Sequence, residues 1–210
     1  DRIASLGFAV RVAKDVDDDD GIAGPRLVVI SASATASGLG RRLARLPVPV
    51  VALQPAFFPK LGMTGPKQGK DYGQRPRETT LSVVNAQHPL ASGFSGTVPV
   101  TGALAVFGWG RPQGDAQVVA TIAGAPDLAA IFSYDTGARM LGLKAPERRV
   151  GFFAGAATPE ALGPRHCGQL SAACAGMINP SEKSRARAYR MRTPGRECQG
   201  RMSIETRFVF

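Results

Sequence analysis

Apolar positions along this chain come in two textures. LVVIS (Leu27–Ser31), VPVVAL (Val48–Leu53) and RVGFF (Arg149–Phe153) are short and nearly continuous, the pattern of strands buried on both faces. FAVRVA (Phe8–Ala13) reads as a further strand, and Asp1–Gly7 as the end of a helix stopped by Gly7. Small residues from Ala32 to Gly40 lead into a short helix around Gly40–Leu46. Strand, helix, strand predicts a parallel sheet with crossover helices. Beyond Pro55 the pattern changes. Phe57, Phe58, Leu61 and Met63 are apolar but interrupted, and Gly65–Arg77 reads as a polar loop. Strands then follow at short spacing: Thr80–Val84, Thr97–Thr101, Ala103–Phe107, Gln117–Ile122, Ala129–Tyr134 and Arg139–Leu141, with Asp135-Thr136-Gly137 as a turn. Spacing this short predicts antiparallel hairpins. Gly168–Ile178 reads as a closing helix.

The expected architecture is therefore α/β: a flavodoxin-like or amidotransferase-like, mostly parallel sheet with helices on both faces and an antiparallel strand insertion. The 210 residues, 44% of them hydrophobic and 20% charged, suit a single domain with a core of its own and exclude global disorder. We assign that domain to residues 1–178. Residues 179–210 show no hydrophobic period and read as a basic, disordered tail with the texture of a non-native extension. The tail holds eight Lys/Arg and three Glu, half of the net charge of +10. Nucleic acid is accordingly an unlikely partner except through this tail. The longest uncharged run, Thr79–Gly110, is broken by Pro89, Pro99 and glycines, so no membrane span is expected. The chain opens without a leader pattern, which leaves the compartment and the oligomeric state open.

A family resemblance enters at LGFAVRVA, RLPVPVVALQPAFFPKLGMTG, NAQHPLASGFSGTVPV, FGWGRP and APERRVGFFA, most specifically at HPLASGFSG and APERRVGFF. Over roughly residues 1–175 the chain resembles an uncharacterised bacterial group within the class I glutamine amidotransferase-like proteins, including trehalose-utilisation (ThuA-like) proteins. The resemblance implies a domain that lacks its first strand, often a module of extracellular, carbohydrate-associated proteins. It does not carry the chemistry across. An amidotransferase needs a cysteine on the tight turn after a buried strand, where backbone N–H groups lower the thiol pKa. Gln54-Pro55 stands there, and Ala154, Gly155, Ala156 and Ala157 stand where a His-x-Glu pair would follow the late strand.

Two functional readings remain. The first is a non-catalytic ligand-binding or accessory domain, its small-molecule or carbohydrate ligand held in a cleft at the strand ends near Ser31 by Gln54, Tyr72, His88 and Trp109. The second is a hydrolase of esters, lactones or amides, with Ser31 or Ser33 as nucleophile, His88 as base and Asp71 as the orienting acid. Gly93-Phe94-Ser95-Gly96-Thr97 is not a nucleophile elbow, because Thr97 replaces the last glycine and the segment runs into a strand. Gly38-Leu39-Gly40 lacks the remainder of a dinucleotide fingerprint. Cys167, Cys174 and Cys198 form no CxxC pair. No cofactor is expected beyond a weak calcium candidate, the Asp15–Asp20 loop, which fails the EF-hand pattern because Asp20 stands where glycine belongs.

The missing thiolate makes one expectation testable: the protein should release no ammonia from glutamine. Release that disappears on replacing Cys167, Cys174 and Cys198 would reveal a nucleophile at another position.

Overall fold

The computed structural model describes residues 8–13, 27–35, 40–154 and 204–209. Eleven strands and one short helix occupy these segments. They are β1 (Phe8–Ala13), β2 (Leu27–Ile30), α1 (Gly40–Arg45), β3 (Val50–Ala52), β4 (Tyr72–Glu78), β5 (Thr80–Val83), β6 (Gly96–Pro99), β7 (Ala105–Gly110), β8 (Gln117–Ile122), β9 (Ala125–Tyr134), β10 (Arg149–Phe152) and β11 (Ile204–Val209). All belong to one 11-stranded sheet of order β1-β11-β2-β3-β10-β9-β8-β5-β6, with β7 joining β9 and β4 pairing with β7. The β1–β11, β11–β2, β2–β3 and β3–β10 pairs are parallel. Every pairing from β10 through β9 to β6, and those of β4 and β7, is antiparallel.

This corrects the flavodoxin-like expectation. The sheet is mixed, with more antiparallel than parallel pairs, and the only α-helix among the described residues is six residues long. Among the described residues, helices do not cover both faces. The apolar runs nevertheless are buried on both sides, through alternation. Leu27, Val29, Val51, Ile131, Val150 and Phe152 enter one core with Leu81, Phe107, Trp109 and Phe153. Val28, Ile30, Val50, Ala52 and Phe132 enter the other, with Leu43, Phe57, Phe58, Leu61 and Met63. Strand and loop residues do the covering that crossover helices were expected to do.

Two strand boundaries also differ. Tyr72–Glu78 lies in the segment read as a loop, since Gly73, Pro76 and three charged side chains hide its pattern. As an edge strand bonded only to β7 it tolerates the proline, and its register shifts between Arg75 and Glu78, where Arg77 adopts φ 64°. Conversely, Arg139–Leu141 is not a strand. It contributes a single bridge, Arg139 to Lys144, in a tight turn closed by Met140 N–H donating to Leu143 O. Residues 204–209, read as part of a solvated tail, form β11 between β1 and β2. The Asp1–Gly7 helix, the Gly168–Ile178 helix and the remainder of the tail lie outside the described residues.

Packing across the sheet turns on two details. Gly151 pairs with Phe132, whose ring lies where a Cβ at Gly151 would stand, 2.4 Å from its nearest atom; any larger residue there would displace the ring. Arg149, the first residue of β10, has no exposed surface. Its Nη1 donates to the carbonyls of Val48 (2.7 Å), Glu147 (3.0 Å) and Arg148 (3.3 Å). Its Nη2 donates to those of Leu46 (2.6 Å), Ala44 (3.3 Å) and Leu43 (3.4 Å). Leu43 and Ala44 belong to α1, so the guanidinium caps a helix too short to persist alone. Burial lowers its pKa to about 10, which keeps it charged at neutral pH.

Replacing Arg149 with methionine should therefore destabilise the protein by roughly 3–5 kcal/mol, because several buried carbonyls lose their donor together. Arg149→Lys should fall between, since one ammonium cannot serve both groups of carbonyls. Urea unfolding of the purified variants measures this; a loss below about 1 kcal/mol for methionine would show the network to be dispensable.

Candidate functional site

Three of the residues singled out in the sequence lie at the C-terminal ends of β2 and β3. Ser31 and Ser33 are together, Oγ to Oγ 2.9 Å, and Ser33 N–H donates to Ser31 Oγ at 3.3 Å. Gln54 lies beside them and its Nε2 donates to Ala32 O at 2.8 Å. That bond ties the exit of β3 to the exit of β2, a structural use of the side chain.

His88 is elsewhere. It precedes the 3₁₀ turn Pro89–Ala91, which packs against β8, and its Nδ1 accepts from Leu90 N–H at 3.1 Å. Its Nε2 lies 3.2 Å from Ser133 Oγ on β9. Strands β10 and β3 separate β9 from β2, so Ser31 stands about 14 Å from Ser133 at the usual strand spacing. The structure does not assemble a Ser31–His88 pair. Ser133 does not replace Ser31 as nucleophile either. With Nδ1 accepting a backbone hydrogen bond, the neutral ring carries its proton on Nε2 and donates it to Ser133, whereas a general base would need that nitrogen bare. Ser133 is also fully buried.

Asp71 closes the 67–71 turn, its Oδ2 accepting from Lys67 N–H at 2.9 Å. It precedes Tyr72, which pairs with Gly110, which in turn pairs with Ala129. Ser133, the partner of His88, lies four residues further along β9, about 13 Å away. Asp71 therefore does not orient His88. Trp109 is 6% exposed and packs over Gly73, in whose place a Cβ would lie 2.8 Å from its Cζ2. Arg111 stacks over the ring at 5.6 Å. The indole is a core residue capped by a cation, not an open platform for a sugar. Tyr72 is half-buried against the opposite core. Tyr72 and Trp109 sit on paired strands beside the Pro55–Phe57 turn that Gln54 precedes, on opposite faces of the sheet, whereas His88 lies apart beside β8 and β9. The Asp15–Asp20 loop lies outside the described residues, and among the described residues no cluster of three or more His, Cys, Asp or Glu could hold a metal.

A different place collects chemistry. An open groove of about 740 Å³ runs between α1, the segment Pro59–Gly62 and the Leu141–Leu143 turn. Arg42, Arg45 and Lys60 line it, together with Leu46, Leu141 and Leu143, and among the described residues its walls carry no carboxylate. Arg42 and Arg45 are three apart on α1, the spacing that places side chains on one helix face. Gly62, at φ 76°, accepts from Leu141 N–H at 2.7 Å, and a Cβ there would strike Leu143. A glycine is required for the two walls to meet. The site is hard to see in the sequence because its cations come from two separate segments; only the Arg42, Arg45 spacing was visible.

No family model matches this chain, and none of the curated proteins matches it. Among solved structures, the cytoplasmic protein STM3548 from Salmonella typhimurium is similar over 72% of this chain and 71% of its own, at 13% identity and a TM-score of 0.46. Among the described residues no helix is long and apolar enough to cross a membrane.

His88 supplies a test of its structural role. Burial, partly offset by Asp135, holds its pKa below the ordinary 6.5. The unfolded chain then binds the proton more readily than the folded one, so stability should fall as pH drops below about 6.5. His88→Gln should cost about 1 kcal/mol at neutral pH and flatten that decline, as read from urea midpoints across pH. An unchanged slope would show that His88 does not control it.

Proposed function

We propose that this chain is a non-catalytic ligand-binding domain whose ligand occupies the groove between α1 and the Leu141–Leu143 turn. The observation that carries this reading is the composition of the groove walls: among the described residues they present cationic and apolar side chains, without nucleophile, carboxylate or imidazole. Such walls hold and orient a molecule; they offer no group to attack it and no paired acid and base to move its protons. The size of the groove suits a small molecule, since such sites usually run to about 300–1,000 Å³. The separation of Ser31 from His88 favours this reading over a hydrolase built on that pair. Turnover of glutamine finds no support either, because Gln54, standing in place of a cysteine, is committed to Ala32 O.

The test combines mapping with an activity screen. Neutral, anionic and cationic small molecules are titrated into isotope-labelled protein, and amide shifts are expected at Ala44–Leu46, Lys60–Gly62 and Leu141–Leu143. Short-chain esters and lactones should not be turned over above buffer. Hydrolysis abolished by both Ser31→Ala and His88→Gln, or shifts confined to another part of the sheet, would overturn the reading.

A further inference from the structure

The groove has a sign, and that sign is reinforced from behind. Arg42 and Arg45 are exposed on the outer side of α1, and Lys60 faces the same space from the opposite wall. A helix ends in unsatisfied carbonyls whose partial negative charge repels anions. Here the carbonyls of Leu43, Ala44 and Leu46 instead accept from Arg149, which lies buried beneath the groove floor. These carbonyls are thereby satisfied by a cation, and among the described residues the walls contribute no acidic side chain. Guanidinium groups present planar donors that match the oxygens of carboxylate and phosphate. The remaining walls are apolar: Leu141 is 45% exposed, large for a leucine, and Leu46 and Leu143 flank it.

Taking the groove as the binding site, we propose that its ligand is an amphiphilic anion: a carboxylate or phosphate head held by Arg42, Arg45 and Lys60, on a short alkyl or aryl body lying against Leu46, Leu141 and Leu143. The head accounts for the cations, and the body covers the exposed Leu141 between the half-buried Leu46 and Leu143. A bare inorganic ion would use only the first, and a neutral sugar would make no use of the charge of Arg45 and Lys60.

The test uses the full chain with octyl phosphate, octanoate, inorganic phosphate and octylammonium as probes, followed by calorimetry and amide shifts. Octyl phosphate and octanoate should shift the amides of Lys60, Gly142 and Leu143 and bind at least roughly ten-fold more tightly than inorganic phosphate, the gain coming from the buried body. Arg45→Glu and Lys60→Glu should each weaken them by roughly ten-fold or more, and added salt should act in the same direction. Arg45 is exposed, so the unfolding midpoint of Arg45→Glu should match the parent and separate loss of binding from loss of fold; Lys60 lies over the Phe57 ring, so the binding loss of Lys60→Glu is read at a temperature where its own unfolding curve shows it folded. Arg45→Lys should retain affinity within a few-fold. Equal affinity for inorganic and octyl phosphate would overturn the amphiphile, and indifference to Arg45→Glu would overturn the head assignment. Octylammonium in the groove would overturn the anion while leaving a binding groove in place. Failure of every probe, charged or neutral, to reach these amides would remove the groove reading itself.

Discussion

A buried guanidinium with no buried carboxylate beside it governs the middle of this molecule. Moving a charge out of water is costly unless its hydrogen bonds are replaced, and Arg149 replaces them with backbone carbonyls from α1, from Leu46 and Val48, and from Glu147 and Arg148. These segments lie about a hundred residues apart in sequence and must arrive together. Only its Nε–H finds no acceptor among the described residues. The requirement works in both directions. The carbonyls at the end of a one-and-a-half-turn helix need donors, and the guanidinium needs acceptors, so the position of α1 on the sheet follows from the position of β10.

The groove inherits its properties from that arrangement. Because α1 is held at its C-terminal end from beneath, Arg42 and Arg45 are left on its outer side, across from Lys60. The Gly62 backbone then joins the far wall through Leu141. The polar features at the rest of the sheet serve the fold in a similar way. Gln54 links two strand exits, His88 caps a 3₁₀ turn and meets Ser133, and the Tyr134 hydroxyl, its pKa raised to about 12 by burial, donates toward the carbonyls of Met63 and Gln113. Each resembles a catalytic residue by type. Each is engaged in holding one piece of backbone against another.

How much of this was legible without coordinates differs by level. Local hydrophobic pattern located Leu27–Ile30, Thr80–Val83, Gln117–Ile122 and Arg149–Phe152 as strands to within a residue or two, because burial on alternate sides imposes a period that any covering layer satisfies. The same indifference is why the fold class was misread. A continuous apolar run records that both faces are dry, not whether a helix, a second group of strands or a loop such as Phe57–Met63 excludes the water. Tyr72–Glu78 escaped notice because an edge strand, paired on one side, can carry Pro76 and charges that a central strand could not.

For the site, the sequence showed which residue types were present and determined one negative result, the absence of a cysteine where Gln54 stands. It could not pair Ser31 with His88 or keep them apart, since that distance depends on how many strands intervene. Nor could it bring Arg42, Arg45 and Lys60 to one groove or place Arg149 beneath them. Those are non-local contacts, decided by strand order and by a buried charge seeking acceptors from distant segments. Local sequence determined the strands because burial acts residue by residue; tertiary structure alone decided the groove because electrostatic satisfaction acts between parts of the chain that pattern cannot connect.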